Sequence, residues 1–154
     1  MRLHAAAFVV LFAGVGLPAM AGDAKEEAVM KDVESLKGTW VVVSAERDGR
    51  KLTDEQIKGV MLTFDGGEKV VVKKGDQPLF EGTIKIDPTK KPKTQDSTQT
   101  SEGENKGKIT LSIYEVEGDT LKICSAEPGK DRPAEFSTQP GSGHFLRVYK
   151  REKK

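Results

Sequence analysis

From Thr39 to Tyr149 the chain is written in short alternating runs, each closed by a turn signal. Thr39 to Glu46 is the first, and Asp48-Gly49 turns it. Leu52 to Gly59 breaks the alternation and reads as a short helix: Thr53 sits at the N-cap and Gln56 three residues on, the spacing of a capping box. Val60, Leu62 and Phe64 then share one face, with Met61 and Thr63 opposite. Asp65-Gly66-Gly67 turns the chain into Lys69 to Lys74, and Gly75 to Pro78 turns it again. Leu79 to Ile86 puts Phe80, Ile84 and Ile86 on one face and Glu81, Thr83 and Lys85 on the other. Pro88 and Pro92 forbid regular pairing, so a new short strand is expected from Lys93 to Thr98. Gln99 to Gly107 holds no apolar residue and reads as an exposed loop.

In the second half Ile109, Leu111 and Ile113 share a face, with Thr110, Ser112 and Tyr114 on the other. Glu117-Gly118-Asp119 is a turn, and Leu121 and Ile123 continue an apolar face. Glu127 to Gln139, with Pro128, Gly129, Pro133 and Phe136, has the composition of an ordered loop folded over a barrel end. His144 to Tyr149 is the last strand. Eight strands joined mostly by short connections, with no long helices between them, argue against a parallel sheet. The expectation is all-β: an eight-stranded antiparallel up-and-down barrel with short helical segments, which leaves no exposed edge. A two-sheet sandwich is the alternative. Val29, Val33 and Leu36 recur at helical spacing and are placed across the barrel mouth. Trp40, the only tryptophan, is expected to plug that barrel from within.

The first residues carry a different pattern. Arg2 precedes a nearly unbroken apolar run, Ala5 to Gly16, and Ala19-Met20-Ala21 is a small-x-small cleavage site. Residues 1–21 therefore read as a secretory signal peptide, 22–35 as a tether and helical lead, and 36–151 as the barrel domain. A membrane span needs about 20 apolar residues, and Gly14, Gly16 and Pro18 interrupt this run. The mature protein is expected to be exported, periplasmic or extracellular, without an integral membrane segment, and monomeric. Without Arg2 the 25 basic residues become 24, equal to the 24 acidic ones. That balance gives no argument for nucleic acid as a partner. Cys124 is the single cysteine, so the fold stands on packing without an internal disulfide.

Leu36, Gly38 and Trp40 resemble the glycine-x-tryptophan signature of lipocalin-like barrels. A larger set resembles an uncharacterised lipocalin-like domain family abundant in planctomycete bacteria: Asp87-Pro88 with Lys90, Lys91, Pro92, Lys93 and Asp96; Ile113-Tyr114-Glu115; Gly118-Asp119-Thr120-Leu121; Cys124; Pro128-Gly129; and Arg132, Pro133, Glu135 and Phe136. The resemblance covers nearly all of residues 22–154, and Ser97 to Asn105 fits it least. It implies an eight-stranded barrel and export, and no activity. It also implies a basic residue of the last strand packed over the tryptophan, for which Arg147 and Arg151 are the candidates.

Candidate chemistry is sparse. His144 is the only histidine beyond the export segment, too few for a zinc site, so no metal and no cofactor are expected. No nucleophile elbow, phosphate loop or paired-cysteine motif is present, and the chain does not read as an enzyme. Glu115 lies on the Ile109, Leu111, Ile113 face and is placed at the barrel rim or inside it, with Arg132 or Lys122 as partner. It is either a polar anchor for a ligand or one half of an ion pair that fastens the Pro128 to Phe136 loop. Asp96 and Tyr114 are further candidate ligand contacts; alternatively Tyr114 packs its ring and donates its hydroxyl. Cys124 falls on the face opposite Leu121 and Ile123, beside Lys122. It is a buried small hydrophobe or, with that ammonium lowering its pKa, a reactive thiol. Lys90, Lys91 and Lys93 and the tail from Lys150 to Lys154 are solvated or meet a polyanionic surface. The expected function is binding of a small apolar ligand or peptide. The alternative is an envelope protein interaction or scaffold module with a filled barrel and no ligand.

Overall fold

The computed structural model describes residues 21–153. The expected export segment lies outside them, apart from Ala21. The residues read as a loose tether form instead one continuous helix, α1 (Ala21–Leu36). Its Val29, Val33 and Leu36 pack against the barrel core, which explains why so charged a segment stays helical. Gly38 ends it, with φ at +117°, a conformation closed to side-chain-bearing residues.

Strand β1 (Gly38–Arg47) follows, with the short β2 (Arg50–Lys51) folded back on its end. Helix α2 (Asp54–Ile57) carries the capping box read from Thr53 and Gln56. Seven strands complete the sheet: β3 (Val60–Phe64), β4 (Lys69–Lys74), β5 (Gln77–Asp87), β6 (Lys93–Gln99), β7 (Ile109–Glu117), β8 (Thr120–Ser125) and β9 (Phe145–Arg151). From β3 to β9 each strand pairs antiparallel with the next. Strand β1 pairs with β3 on one side and with β9 on the other. The result is the closed eight-stranded, up-and-down, lipocalin-like barrel expected from the alternation, with β2 as one strand more. Closure rules out the sandwich.

Two irregularities aim the side chains. A bulge between Val42 and Ser44 leaves Val43 exposed, so β1 points Trp40 and Val42 inward and then Ala45 and Arg47. A second shift, opposite Val72 and Lys73, leaves Leu79 half-exposed at the barrel end while Phe80 turns in. At Gly82 a Cβ would stand 2.4 Å from the Thr98 carbonyl oxygen and 2.6 Å from the Phe80 ring. The bare backbone there is what leaves room for that ring.

Helix α1 seals the Trp40 end of the barrel; it does not lie across the mouth, where Val29, Val33 and Leu36 were expected, because Leu36 is tied to the Trp40 indole. Lys25 reaches Asp87 at the end of β5, and Thr89 and Lys25 together hold the Asp87 carboxyl down at about 2. About one turn before the helix end Asp32 accepts hydrogen bonds from Lys93 of β6 (2.8 Å) and Tyr114 of β7 (2.7 Å). At its last turn Leu36 gives its carbonyl to the Trp40 indole N–H (2.7 Å). The carbonyls of Ser35 and Lys37 accept from Arg151 of β9. Arg151 also stacks on Trp40, 4.2 Å from the ring centroid. The basic residue over the tryptophan is therefore Arg151, and Arg147 is not in that place. These contacts run from β5 to β9, so the helix spans the full width of the barrel. No helix among the described residues is long and apolar enough to cross a membrane.

The floor should dominate stability. Trp40 is fully buried, so Trp40→Ala is expected to cost about 3–5 kcal/mol in chemical unfolding, while Trp40→Phe, which keeps most of the packing, should cost less. A loss under about 1 kcal/mol for the alanine variant would show that the indole is not the plug.

Candidate functional site

Above the Trp40 floor the barrel is not filled. A cavity of about 490 Å³ lies between the sealed end and the opposite rim. It opens between α2, the Leu79 bulge and the segments at Pro128 and Gly143. The filled barrel of the alternative expectation does not fit this volume.

The cavity has two unlike walls, and strand register explains them. Strands β1, β3, β4 and β5 contribute Val42, Ala45, Leu62, Val70, Val72 and Phe80. Strands β6 to β9 contribute Gln95, Ser97, Ser125, Arg147 and Tyr149, interrupted by Ile123. Gln95 lies opposite Ser112, and Ser112 opposite Ser125, so three polar side chains form one row across three strands. All three are buried. The Ser112 and Ser125 hydroxyls are hydrogen-bonded at 2.8 Å, and Arg147 Nη2 donates to Ser125 Oγ at 2.7 Å. Arg147 and Arg47 both stack on Phe145, at 4.6 and 4.5 Å from its centroid. Two buried polar atoms on this wall lack a partner: Gln95 Oε1 and Arg147 Nε. Unpaired polar groups in an interior are costly, and both of these lie on the polar wall.

The residues singled out from sequence lie elsewhere. The inward face of β7 is Thr110, Ser112, Tyr114 and Val116, so Ile109, Leu111, Ile113 and Glu115 point outward. Glu115 is half-exposed on the outer surface near the sealed end, 3.8 Å from Lys122. It is neither in the cavity nor bound to Arg132. Tyr114 faces inward, but its hydroxyl is spent on Asp32 in the floor. Asp96 also points outward and pairs with Arg132 at 2.6 Å. Arg132 donates as well to the carbonyls of Ser112 (2.7 Å) and Gln95 (3.2 Å).

The loop from Ala126 to Gln139 is thus a strap on the outer face of β6 to β8, fastened by Arg132. It covers Ile113 and Cys124, both buried. The Cys124 thiol sits 3.6 Å from the Ser137 carbonyl oxygen. Burial pushes that thiol up, against the smaller opposing pulls of the Ser137 contact and Arg147, so it is not the activated nucleophile that a lysine neighbour suggested. The strap makes outward positions of these strands apolar, which reverses the faces that alternation alone assigns to β7. A sequence signal did exist: Tyr114 and Val116 extend the other face. Pro128, Pro133 and Phe136 also mark a covering segment beside these strands. His144 stands in the turn before β9, and no three His, Cys, Asp or Glu side chains among the described residues converge as a metal site.

No family model matches the chain, and no curated protein or solved structure matches it either.

Both tyrosines of the chain are inward and buried. Burial raises Tyr114 far above the usual phenol value, helped by the Asp32 carboxylate, and burial raises Tyr149 against the pull of Arg147. A raised folded-state pKa means that the unfolded chain loses the proton first as pH rises. Stability should therefore hold below the ordinary tyrosine value of about 10 and fall above it. Tyrosinate absorbance is expected to appear only together with loss of the folded circular dichroism signal. Titration of either phenol at its ordinary value in folded protein would contradict this burial. The strap has its own reporter, since Cys124 is the only thiol. Arg132→Ala should cost roughly 1–2 kcal/mol, allowing for the partial exposure of the Arg132–Asp96 pair, and speed labelling of Cys124 by about tenfold. An unchanged labelling rate would show that Arg132 does not hold the strap.

Proposed function

We propose that this protein is an exported binding protein that holds one small, mostly apolar molecule inside its barrel. The observation that carries this reading is the cavity itself: about 490 Å³, sealed at one end by α1 and open at the other. Binding sites of small molecules are of this size, mostly apolar, with few convergent polar groups. The apolar wall supplies surface for burial, and the wall of Gln95, Ser125 and Arg147 supplies orientation. Export follows from the pattern of residues 1–21. Catalysis needs a convergent acid, base and nucleophile. The cavity wall offers serines beside a guanidinium and no histidine, so binding is the better reading.

The neutral fluorophore N-phenyl-1-naphthylamine tests it. Its emission should rise and shift to the blue on mixing with the protein, with saturation at one equivalent. Val72→Trp, which adds bulk to the apolar wall, should weaken this binding at least about tenfold while leaving the barrel folded, a 1.4 kcal/mol effect. No enhancement with the wild type, or identical binding by the filled variant, would overturn the reading.

A further inference from the structure

The cavity lining carries two cations, Arg47 and Arg147, and a single acid, Glu127. Arg47 and Glu127 stand together at the rim, where both also line a polar cleft on the outer surface. Arg147 stands deeper, one cross-strand pair from Ser125 and opposite Ile123. None of the six ion pairs among the described residues includes it. Its guanidinium meets the hydroxyls of Ser125 and Tyr149 and the Phe145 ring but no carboxylate, and its Nε is buried without an acceptor. Across β7 and β8 from it, in the same row as Ser112 and Ser125 that leads to Arg147, Gln95, 6% exposed, presents a carboxamide whose oxygen is equally unpaired. A half-turn of that amide offers its NH₂ group in place of the oxygen. A cation held in a partly closed apolar vessel without a counter-charge is a destabilising arrangement that an anion would relieve.

We propose that the occupant is an amphipathic monocarboxylate, its carboxylate on Arg147 and Gln95 and its hydrocarbon tail along Val42, Leu62, Val70 and Val72 toward the mouth. This rests on the reading of the cavity as a ligand site and names the ligand's class. A guanidinium is the group whose planar donor fork matches a carboxylate with two parallel hydrogen bonds. Arg147 is the one deep cation, so the wall balances a single negative charge and not the two of a phosphate monoester. Below the rim, where Arg47 and Gln56 stand, the strands of the opposite wall line the cavity with apolar side chains, which sets the direction of the molecule: charge deep, tail outward.

Competition against bound N-phenyl-1-naphthylamine separates the two claims. Dodecanoate, dodecanol, dodecylamine and dodecyl phosphate share one tail and differ only in the head. Dodecanoate is expected to displace the fluorophore at least about tenfold more tightly than dodecanol, with dodecylamine weakest. Arg147→Met should bring dodecanoate down to the level of dodecanol while the fluorophore still binds, and Arg147→Lys should recover part of the preference. Should Arg147→Met fail to fold, the comparison of heads on the wild-type protein decides alone. Equal binding of dodecanoate and dodecanol would overturn the carboxylate assignment while leaving the cavity a ligand site. Tighter binding of dodecyl phosphate than of dodecanoate would overturn the single-charge argument. Failure of the fluorophore itself to bind would remove the earlier reading, and this one with it.

Discussion

One hydrogen bond and one stack decide what kind of barrel this is. The Trp40 indole N–H is tied to the carbonyl of Leu36, the last residue of α1, and the Arg151 guanidinium covers the ring. Because Trp40 lies inside β1 and Leu36 ends the helix, these contacts fix α1 across the strand ends. Asp32, about one turn before the helix end, meets Lys93 and Tyr114. An eight-stranded barrel has just enough interior for side chains or for one small ligand. Large side chains concentrated at one end, with Trp40, Phe64 and Tyr114 in the core cluster there, leave the remaining volume to the other end. The plug makes a tube into a cup.

The asymmetry of the cup walls follows from the same register. On β1 and β3 to β5 the inward positions are mostly valine, leucine, isoleucine and phenylalanine, with Trp40 at the floor and Arg47 at the rim. On β6 to β9 the inward positions include Gln95, Ser97, Ser112, Ser125 and Arg147, and here the apolar residues of β7 turn outward under the strap. Two layers of packing therefore share β6 to β8: the barrel interior on one side and the strap on the other. The strap lets this half of the sheet stay buried on its outer face while its inner face is given over to polar groups. The stabilising interactions of the floor and strap stand apart from the groups facing the cavity, so the latter are free of structural duties apart from the Ser112, Ser125 and Arg147 chain.

The fold was legible because its signal is local. Period-two alternation, the turns at Asp48-Gly49 and Asp65 to Gly67, and the capping box at Thr53 are each set by a few neighbouring residues. The plug was legible in Trp40, and the helical period of Val29, Val33 and Leu36 showed that a helix covers a barrel end, but not that it is the Trp40 end. The site was not, for a reason that Glu115 illustrates. Hydrophobicity assigns Ile109, Leu111 and Ile113 to the inside, and Glu115 goes with them; in the folded chain a segment of the same protein covers that face, and the inside belongs to Ser112 and Tyr114. Which face of a strand is inner depends on what is packed against both, and that information lies in a loop more than ten residues away. Arg147 and Arg151 were both candidates for the place over Trp40. Arg151 occupies it, which leaves Arg147, two inward positions away beyond Tyr149, in the cavity.

If the cup has one mouth, its two ends must differ in how they open. Native-state hydrogen exchange, read residue by residue and including the Trp40 indole N–H, measures this directly. The account predicts that the amides of α1 from Val29 to Leu36 and the indole N–H exchange only with global unfolding. The rim, α2 and the Leu79 bulge should open locally at far lower free energy. Local opening of α1 ahead of the rim would contradict it, because the helix would then be the gate and the Trp40 end the mouth.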